Sequence, residues 1–306
     1  MTRYILQRLV AAAVTIWIAT ILVTLLVHLV PGDPVRIMYG SFQTTPEELE
    51  AIRVRLGLDQ PIWKQYLLYV ERLAHGDLGR SIVGDQPVID ILLTRFPATL
   101  ALTVASLAIA IVVGMSLGFL AAYRRGTWVD AGAMVLAIVG VSMPHFWLGL
   151  LLLFLFAITL QWLPVAGGDW SSLILPAMTL GLANAAVLAR LTRSAMIDIF
   201  DQDFVRTARA KGLPKALVLY RHALRSGLVP IVAMLGLQFA YLMGGAIVVE
   251  NVFAWNGVGR LAIEAVFARD YPLIQGFILF FATVVALASV IVDVAYAFLD
   301  PRIRYS

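Results

Sequence analysis

The sequence has 306 residues, 61% of them hydrophobic and 14% charged, against about half apolar and a quarter charged in an ordinary soluble domain. That balance excludes a soluble globular domain and predicts a membrane protein. The net charge of +4 would suit an anionic partner, but the basic residues gather between apolar runs, which is a topology signal and sets nucleic acid aside. There are no cysteines, so disulfides and thiolate metal sites are removed, and nothing follows about redox compartment.

Arg3 and Arg8 precede an apolar run from Leu9 to Val30, about the twenty residues a spanning helix needs. The run exceeds the apolar region of a signal peptide and no small-residue cleavage site follows it, so it predicts an uncleaved first span. Pro31-Gly32-Asp33-Pro34 ends it, because two prolines and a glycine cannot continue a helix.

Residues 31–98 are the one long hydrophilic region. Thr45-Pro46-Glu47-Glu48 reads as a capping box with proline at the first helical position, and Gly57 as that helix's terminator. Pro61 starts a second helix on which Trp63, Tyr66, Leu67, Val70 and Leu73 fall near one face, with His75-Gly76 as its end. Two compatible roles stand for this insertion: a cap packed on the membrane part, or a contact surface for a substrate-delivering receptor.

Further apolar runs at 99–123, 131–158, 173–194, 228–249 and 275–299 bring the spans to six. The expected fold is an all-α membrane protein. Its organisation is an N-terminus with the first span (1–30), an extracytoplasmic helical insertion (31–98) and a core with spans two to six (99–306). With the N-terminus inside, the cytoplasmic segments hold fourteen of the 23 Lys and Arg. Seven of the other nine lie in the 68-residue insertion, which is too long for the positive-inside rule to count.

Polar residues within or beside spans are costly and need reasons. Arg190 and Arg193 lie near the cytoplasmic end of the fourth span and Asp293 near that of the sixth, so opposite charges at matching depth predict a pair. A gate that rearranges, a static bridge and snorkelling arginines are the three readings. Asn184 and Gln238 either line a pathway or bond between helices, and Gly244-Gly245 permits close helix approach. Between spans five and six, Leu261, Ala262, Ala265 and Val266 form an apolar stripe after Gly257 and Gly259. This suggests a surface-lying or shallowly re-entrant helix at an external mouth, with a plain loop as the alternative.

Enzymatic readings are weak. None of Lys64, Lys211 and Lys215 sits in a phosphate-loop pattern, and no HExxH surrounds His28, His75, His145 or His222. The best nucleophile candidate is Ser142 with His145, across Met143-Pro144, where Pro144 points rather to a kink.

The stretch from Asp203 to Pro230 is basic and lies between two long apolar runs. Asp203 is placed to cap a helix over Phe204–Lys211, and Gly212, Leu213 and Pro214 supply a left-handed stop and a breaker. Pro214 then starts a second helix with Leu217, Tyr220, Leu224 and Leu228 on one face and Arg221 and Arg225 elsewhere. A helix of about two turns is not stable alone in water, so it must be held by the membrane part behind and a partner in front.

The residues Arg206 to Gly212 (RTARAKG), His222-Ala223-Leu224-Arg225 and Pro230 resemble the coupling loop of ABC importer permeases of the dipeptide, oligopeptide and nickel class. The general importer loop begins Glu-Ala-Ala and has proline where Arg225 stands; Arg206-Thr207-Ala208 resembles the peptide and nickel variant. Further matches are Pro31-Gly32-Asp33-Pro34, Gly76-Asp77-Leu78-Gly79, Glu250-Asn251 through Gly257-Val258-Gly259-Arg260, and Asp300-Pro301-Arg302-Ile303-Arg304. The resemblance implies half of a translocation pathway in a bacterial inner membrane, both termini cytoplasmic, with no cofactor on this chain and ATP and Mg on partners. Those partners would be a homologous permease, two cytoplasmic ATPases, an extracytoplasmic substrate-binding protein and membrane lipids. It implies ATPase coupling for Asp203, Phe204, Arg206, Thr207, Ala208, Arg209, Ala210, Lys211, Gly212 and Leu213. Arg190, Arg193, Gln238 and Asp293 stand as pathway or gate residues, and Glu250, Asn251, Gly257, Gly259 and Arg260 as the external mouth. Dipeptides, oligopeptides, glutathione-like peptides and nickel chelates all remain open as substrates. The contrasting class is a transporter or channel working without ATP, which would show inverted repeats or charged midplane relays; neither is visible.

Overall fold

The computed structural model describes residues 2–29, 33–39, 45–55, 57–167, 169–212 and 224–299. In chain order the helices are α1 (Thr2–Leu29), α2 (Pro34–Tyr39), α3 (Pro46–Arg55) and α4 (Ile62–Ala74). Then come α5 (Val88–Tyr123), α6 (Trp128–Ser142), α7 (His145–Thr159) and α8 (Trp170–Phe200). The last four are α9 (Asp203–Ala210), α10 (Leu224–Val252), α11 (Val258–Ala268) and α12 (Tyr271–Leu299). Among the described residues α1, α5, α8 and α12 are long and apolar enough to cross a membrane alone. The expected six is reached when two bent pairs each count as one span: α6 with α7, turned by 106°, and α10, bent by 46° between Gly244 and Ala246.

The chain folds as two compact units. The first contains Ala98–Asn256 and the segment from Ala288. Its centre is α8, which touches α5, α6, α7 and α10. Small residues make this possible. A Cβ on Gly114, in the π-helical stretch Ala110–Met115 of α5, would lie 2.6 Å from the Ala185 carbonyl oxygen. One on Gly118 would overlap the Ala189 carbonyl, and one on Gly181 would come 2.7 Å from Ile109 Cβ. The two backbones thus approach where larger residues would hold them apart, which is how helices associate when lipid supplies no hydrophobic drive. Leu102, Leu175, Leu180, Leu242, Val249 and Phe253 fill the adjoining core.

The second unit contains Thr2–Pro97 and Gly257–Leu287. The capping box forms as read: Thr45 N–H donates to Glu48 Oε2 at 2.8 Å and Glu48 N–H to Thr45 Oγ1 at 3.3 Å. Helix α4 runs against α1, where the hydroxyls of Thr20 and Tyr66 share a hydrogen bond of 3.1 Å. Tyr69 packs there with Ala19, Val23 and Leu279.

Three expectations change. The second span does not begin at 99, because its helix starts at Val88 and carries Pro97 inside. Helix continues upstream of the apolar run because Val88 and Leu92 are themselves buried. The inward face of α4 is centred on Tyr69, while Trp63, Leu67 and Val70 are exposed. The arc was read about one residue off, since aromatics and leucines lie all round this helix. Asp203 is the first helical residue and Gln202 the cap, its carbonyl accepting from Val205 and Arg206. The Asp203 carboxylate therefore acts on the helix dipole from the first turn. Between the fifth and sixth spans the chain does form a helix, α11, buried through Val258, Leu261 and Ala265, with Val266 exposed.

Candidate functional site

Helix α8 is 31 residues long, about 46 Å at 1.5 Å per residue, so it outruns the roughly 30 Å hydrocarbon layer. Its last turns carry Met196, Ile199 and Phe200, and α9 lies on them. Val205 and Ala208 are buried against Met196, Ile199 and Ala122, with Phe119 and Ile197 alongside. Two apolar residues three apart make the anchoring face of a helix otherwise polar. Asp203, Phe204, Arg206, Thr207, Ala210 and Lys211 are exposed. Arg206 is 70% exposed and its guanidinium is 3.8 Å from Asp203, a contact of little energetic weight in water. The Thr207 hydroxyl returns to the Asp203 carbonyl at 2.8 Å. Gly212 has φ +74°, the left-handed turn that a side chain disfavours. The Arg209 side chain, Leu213, Pro214, Leu217, Tyr220, Arg221 and His222-Ala223 lie outside the described residues, as do Pro31-Gly32 and Asp300 to Arg304.

Behind α9 is a charged joint. Two of the three guanidinium nitrogens of Arg193 meet Asp130, Nε to Oδ1 at 2.5 Å and Nη2 to Oδ2 at 2.8 Å. Asp130 also accepts the Gly126 N–H at 3.0 Å and is only 7% exposed. A bidentate pair of this kind fixes direction as well as distance. The expected partnership of Arg193 with Asp293 is therefore corrected, since Asp130 at the start of α6 reaches the guanidinium first. Arg190 is exposed. On the same side Arg125 meets Asp201 at 3.2 Å on the surface.

Gln238 is buried and donates through Nε2 to the Asn184 carbonyl at 3.2 Å, while its Oε1 has no partner. Asn184 in turn donates to the Leu180 carbonyl at 2.8 Å. Bonding between helices α8 and α10 is thus present, with one acceptor to spare. Glu250 is fully buried, and its carboxylate accepts the Thr99 hydroxyl at 2.5 Å. Nearby Trp255 donates its indole N–H to the Ala98 carbonyl at 2.9 Å. Asn251 is exposed. In the second unit Gly257 precedes α11, Gly259 is buried, and Arg260 meets Glu264 at 2.9 Å. The Ser142 hydroxyl donates to the Ile138 carbonyl at 2.9 Å and the buried His145 Nδ1 has no partner. No group of three His, Cys, Asp or Glu able to hold a metal occurs among the described residues.

Two carboxylates were missed by sequence reasoning. Asp130 stands between Arg124-Arg125 and the apolar run that opens at 131, and that placement was the available signal. Asp270 precedes Tyr271-Pro272 as a helix cap should. It is fully buried, accepting from the Ser81 hydroxyl, Ile82 N–H at 3.1 Å and Val83 N–H at 3.4 Å through Oδ2, and Leu273 N–H at 3.1 Å through Oδ1.

The architecture has counterparts among known proteins. The inward-facing methionine ABC transporter MetNI aligns with a TM-score of 0.59 at 17% identity, over 69% of this chain and 97% of its own. An amino acid ABC transporter solved with histidines aligns at 0.52 and 16%, over 70% and 94%; at these identities the fold alone is shared. In sequence, the chain is 45% identical over its whole length, and the whole length of the relatives, to the glutathione transport system permease proteins GsiC of Escherichia coli and Shigella dysenteriae. The model for the inner membrane component of binding-protein-dependent transport systems matches residues 114–305, and the model for the N-terminal part of such components matches 1–103. With both models and full-length relatives in agreement, the chain belongs to the binding-protein-dependent transport system inner membrane components, the permease subunits of ABC importers.

Proposed function

We propose that this permease carries small peptides of the glutathione kind inward, as half of a translocation pathway whose other half is a homologous permease. Substrate would be delivered by an extracytoplasmic binding protein, and power supplied by two cytoplasmic ATPase subunits that hold ATP and Mg themselves. Both termini and α9 face the cytoplasm in this reading, and the 31–98 insertion faces the receptor. The observation that carries it is α9: a short helix pinned by Val205 and Ala208 whose remaining surface is charged and uncovered. Such a helix is incomplete without a partner. Closure of the ATPases moves α9, the apolar pad passes that movement to the end of α8, and the Asp130–Arg193 pair carries it into α6. In this conformation Arg193 acts as a strut. Gln238 and Asp293 are the polar groups assigned to the pathway, and Glu250, Asn251, Gly257, Gly259 and Arg260 to its external mouth. Whole-length identity to glutathione permeases favours glutathione among the peptide substrates.

The orientation is tested by a single cysteine at Lys211, introduced into a chain that has none. An impermeant maleimide should label it in inside-out vesicles and not in intact spheroplasts; the reverse pattern overturns the proposal. Coupling is tested by Gly212→Val in the reconstituted transporter. A branched side chain at φ +74° is strained by roughly 1–2 kcal/mol. Insertion and ATP hydrolysis should persist while ATP-driven uptake of labelled glutathione falls at least about tenfold, and uptake at the normal rate would mean that coupling does not depend on the left-handed turn that ends α9.

A further inference from the structure

Helix α4 divides into three arcs when its residues are set about 100° apart. Tyr66, Tyr69 and Leu73 share the arc turned onto the spans, where Tyr69 packs with Ala19, Val23 and Leu279 and Leu73 lies beside them. Lys64, Glu71 and His75 make a polar arc on the far side, all of them exposed. Leu68 is apolar within that arc, and it lies against the turn at Gly57. The third arc holds Trp63, Leu67 and Val70 at spacing i, i+4, i+7. All three are exposed, Trp63 by 65% and Leu67 by 56%. Single apolar residues at a surface are ordinary, but a stripe of three large ones marks contact with a protein or a membrane.

The height of α4 along the spans decides between those two. The Tyr66 hydroxyl shares its hydrogen bond with Thr20, which lies about 8 Å inside the end of the apolar stretch Tyr4–Leu25 of α1 at 1.5 Å per residue. Leu279, packed on Tyr69, lies about 12 Å inside the start of the stretch Tyr271–Val294 of α12 by the same measure. Gln275 Nε2 donates to the Val23 carbonyl at 3.1 Å, which holds the two spans at a common level. One leaflet of hydrocarbon is about 15 Å deep, half of the roughly 30 Å layer. The inward arc of α4 therefore meets both spans within that depth and not above it. At the same level α1 turns Ile18, Leu22 and Leu25 outward, so the stripe of α4 adds to an apolar surface that a spanning helix already presents.

We infer that α4 is embedded in the bilayer leaflet crossed by the C-terminal half of α1, with Trp63, Leu67 and Val70 among the acyl chains and Lys64, Glu71 and His75 at the headgroups. A helix with separate apolar and charged arcs suits that boundary, with tryptophan as an interfacial anchor and the lysine stem reaching outward. The hydrophilic insertion is thereby moored to lipid through one of its own helices, beyond its chain connections to the spans. In the orientation proposed above this leaflet is the outer one, and only that naming rests on the proposed orientation.

The test places single nitroxides through Trp63→Cys, Leu67→Cys and Val70→Cys, and through Lys64→Cys and Glu71→Cys on the polar arc, in a chain with no native cysteine. Each variant is reconstituted in liposomes with partner subunits freed of reactive cysteine. Power-saturation spectroscopy then compares collisions with oxygen, which concentrates in hydrocarbon, and with a neutral nickel chelate, which stays in water. The oxygen-to-nickel ratio should be several-fold higher at 63, 67 and 70 than at 64 and 71. Nickel collisions dominating at 63, 67 and 70 would put α4 in water and overturn the embedding. Weak collisions with both reagents there would mean that protein covers the stripe, and would overturn it equally. All five positions are exposed, and the three apolar ones are read independently, so one aggregating variant leaves two others to decide. The ratio reports depth and not side, so it can fail while the orientation stands, and can hold where the orientation is reversed.

Discussion

The two units of this permease are held by different physics. In the first, α5 and α8 meet backbone to backbone through Gly114, Gly118 and Gly181, and shape decides whether they fit. In the second, a buried carboxylate gathers the chain: Asp270 holds the Ser81 hydroxyl, two N–H groups of the turn and the first turn of α12. Close packing tolerates almost no added volume, while a hydrogen-bonded carboxylate tolerates volume but no loss of acceptors. The two regions should therefore fail under opposite kinds of substitution.

The largest effect is expected from Gly118→Val. Its first side-chain carbon would already overlap the Ala189 carbonyl and lie 2.7 Å from Thr192 Cβ, so a loss above about 4 kcal/mol is expected. Fluorescence-detected size exclusion should show no monodisperse protein, and a folded variant would mean the helices do not depend on close approach. Asp130→Ala probes one of the polar joints inside the shape-held unit. It leaves Arg193 without its bidentate partner, which should cost about 3–5 kcal/mol. Asp130→Asn, which keeps the volume and one acceptor, should cost less in the same thermal-unfolding series, and equal losses would assign the whole effect to the lost charge and none to packing. Asp270→Ala should cost roughly 1–3 kcal/mol through stranded donors and raise hydrogen exchange at Ile82 and Val83, which Gly118→Val would not do selectively.

The smallest effect belongs to Asp169, the exposed cap of α8. Its carboxylate accepts the hydroxyls of Ser172 at 2.5 Å and Ser171 at 2.8 Å and the Ser172 N–H at 3.3 Å. The Ser172 hydroxyl foremost holds its pKa below the usual carboxylate value. A lowered folded pKa means that the contribution is present above the unfolded value and disappears as pH falls through the folded one. Asp169→Ala should thus lower Tm slightly at neutral pH, and the difference from wild type should vanish on acidification. A difference that grew in acid would reverse the sign.

Local chemistry made much of this readable in the sequence. Thr45 to Glu48 announced its cap because partners three residues apart meet within one turn. Gly212 announced its stop because the left-handed turn is a property of one residue. What was not legible depended on distance along the chain. Asp130 reaches Arg193 across 63 residues, and Asp270 reaches Ser81 across 189; no periodicity carries such pairings. The face of α4 was misjudged because Trp63, Leu67 and Leu68 are apolar without being inward. The second span was begun too late because only the apolar run from 99 was counted, although the helix starts at Val88 and runs through Pro97.

The turn between α6 and α7 has one more consequence. Met143 and Pro144 are both extended, with ψ of 128° and 135°, so the last four carbonyls of α6 end without helical partners, and Val141 and Ser142 are exposed. Hydrocarbon offers those oxygens nothing, at several kcal/mol each. Acyl chains must therefore be kept from this corner, and either moisture or the donors of a neighbouring subunit must reach it.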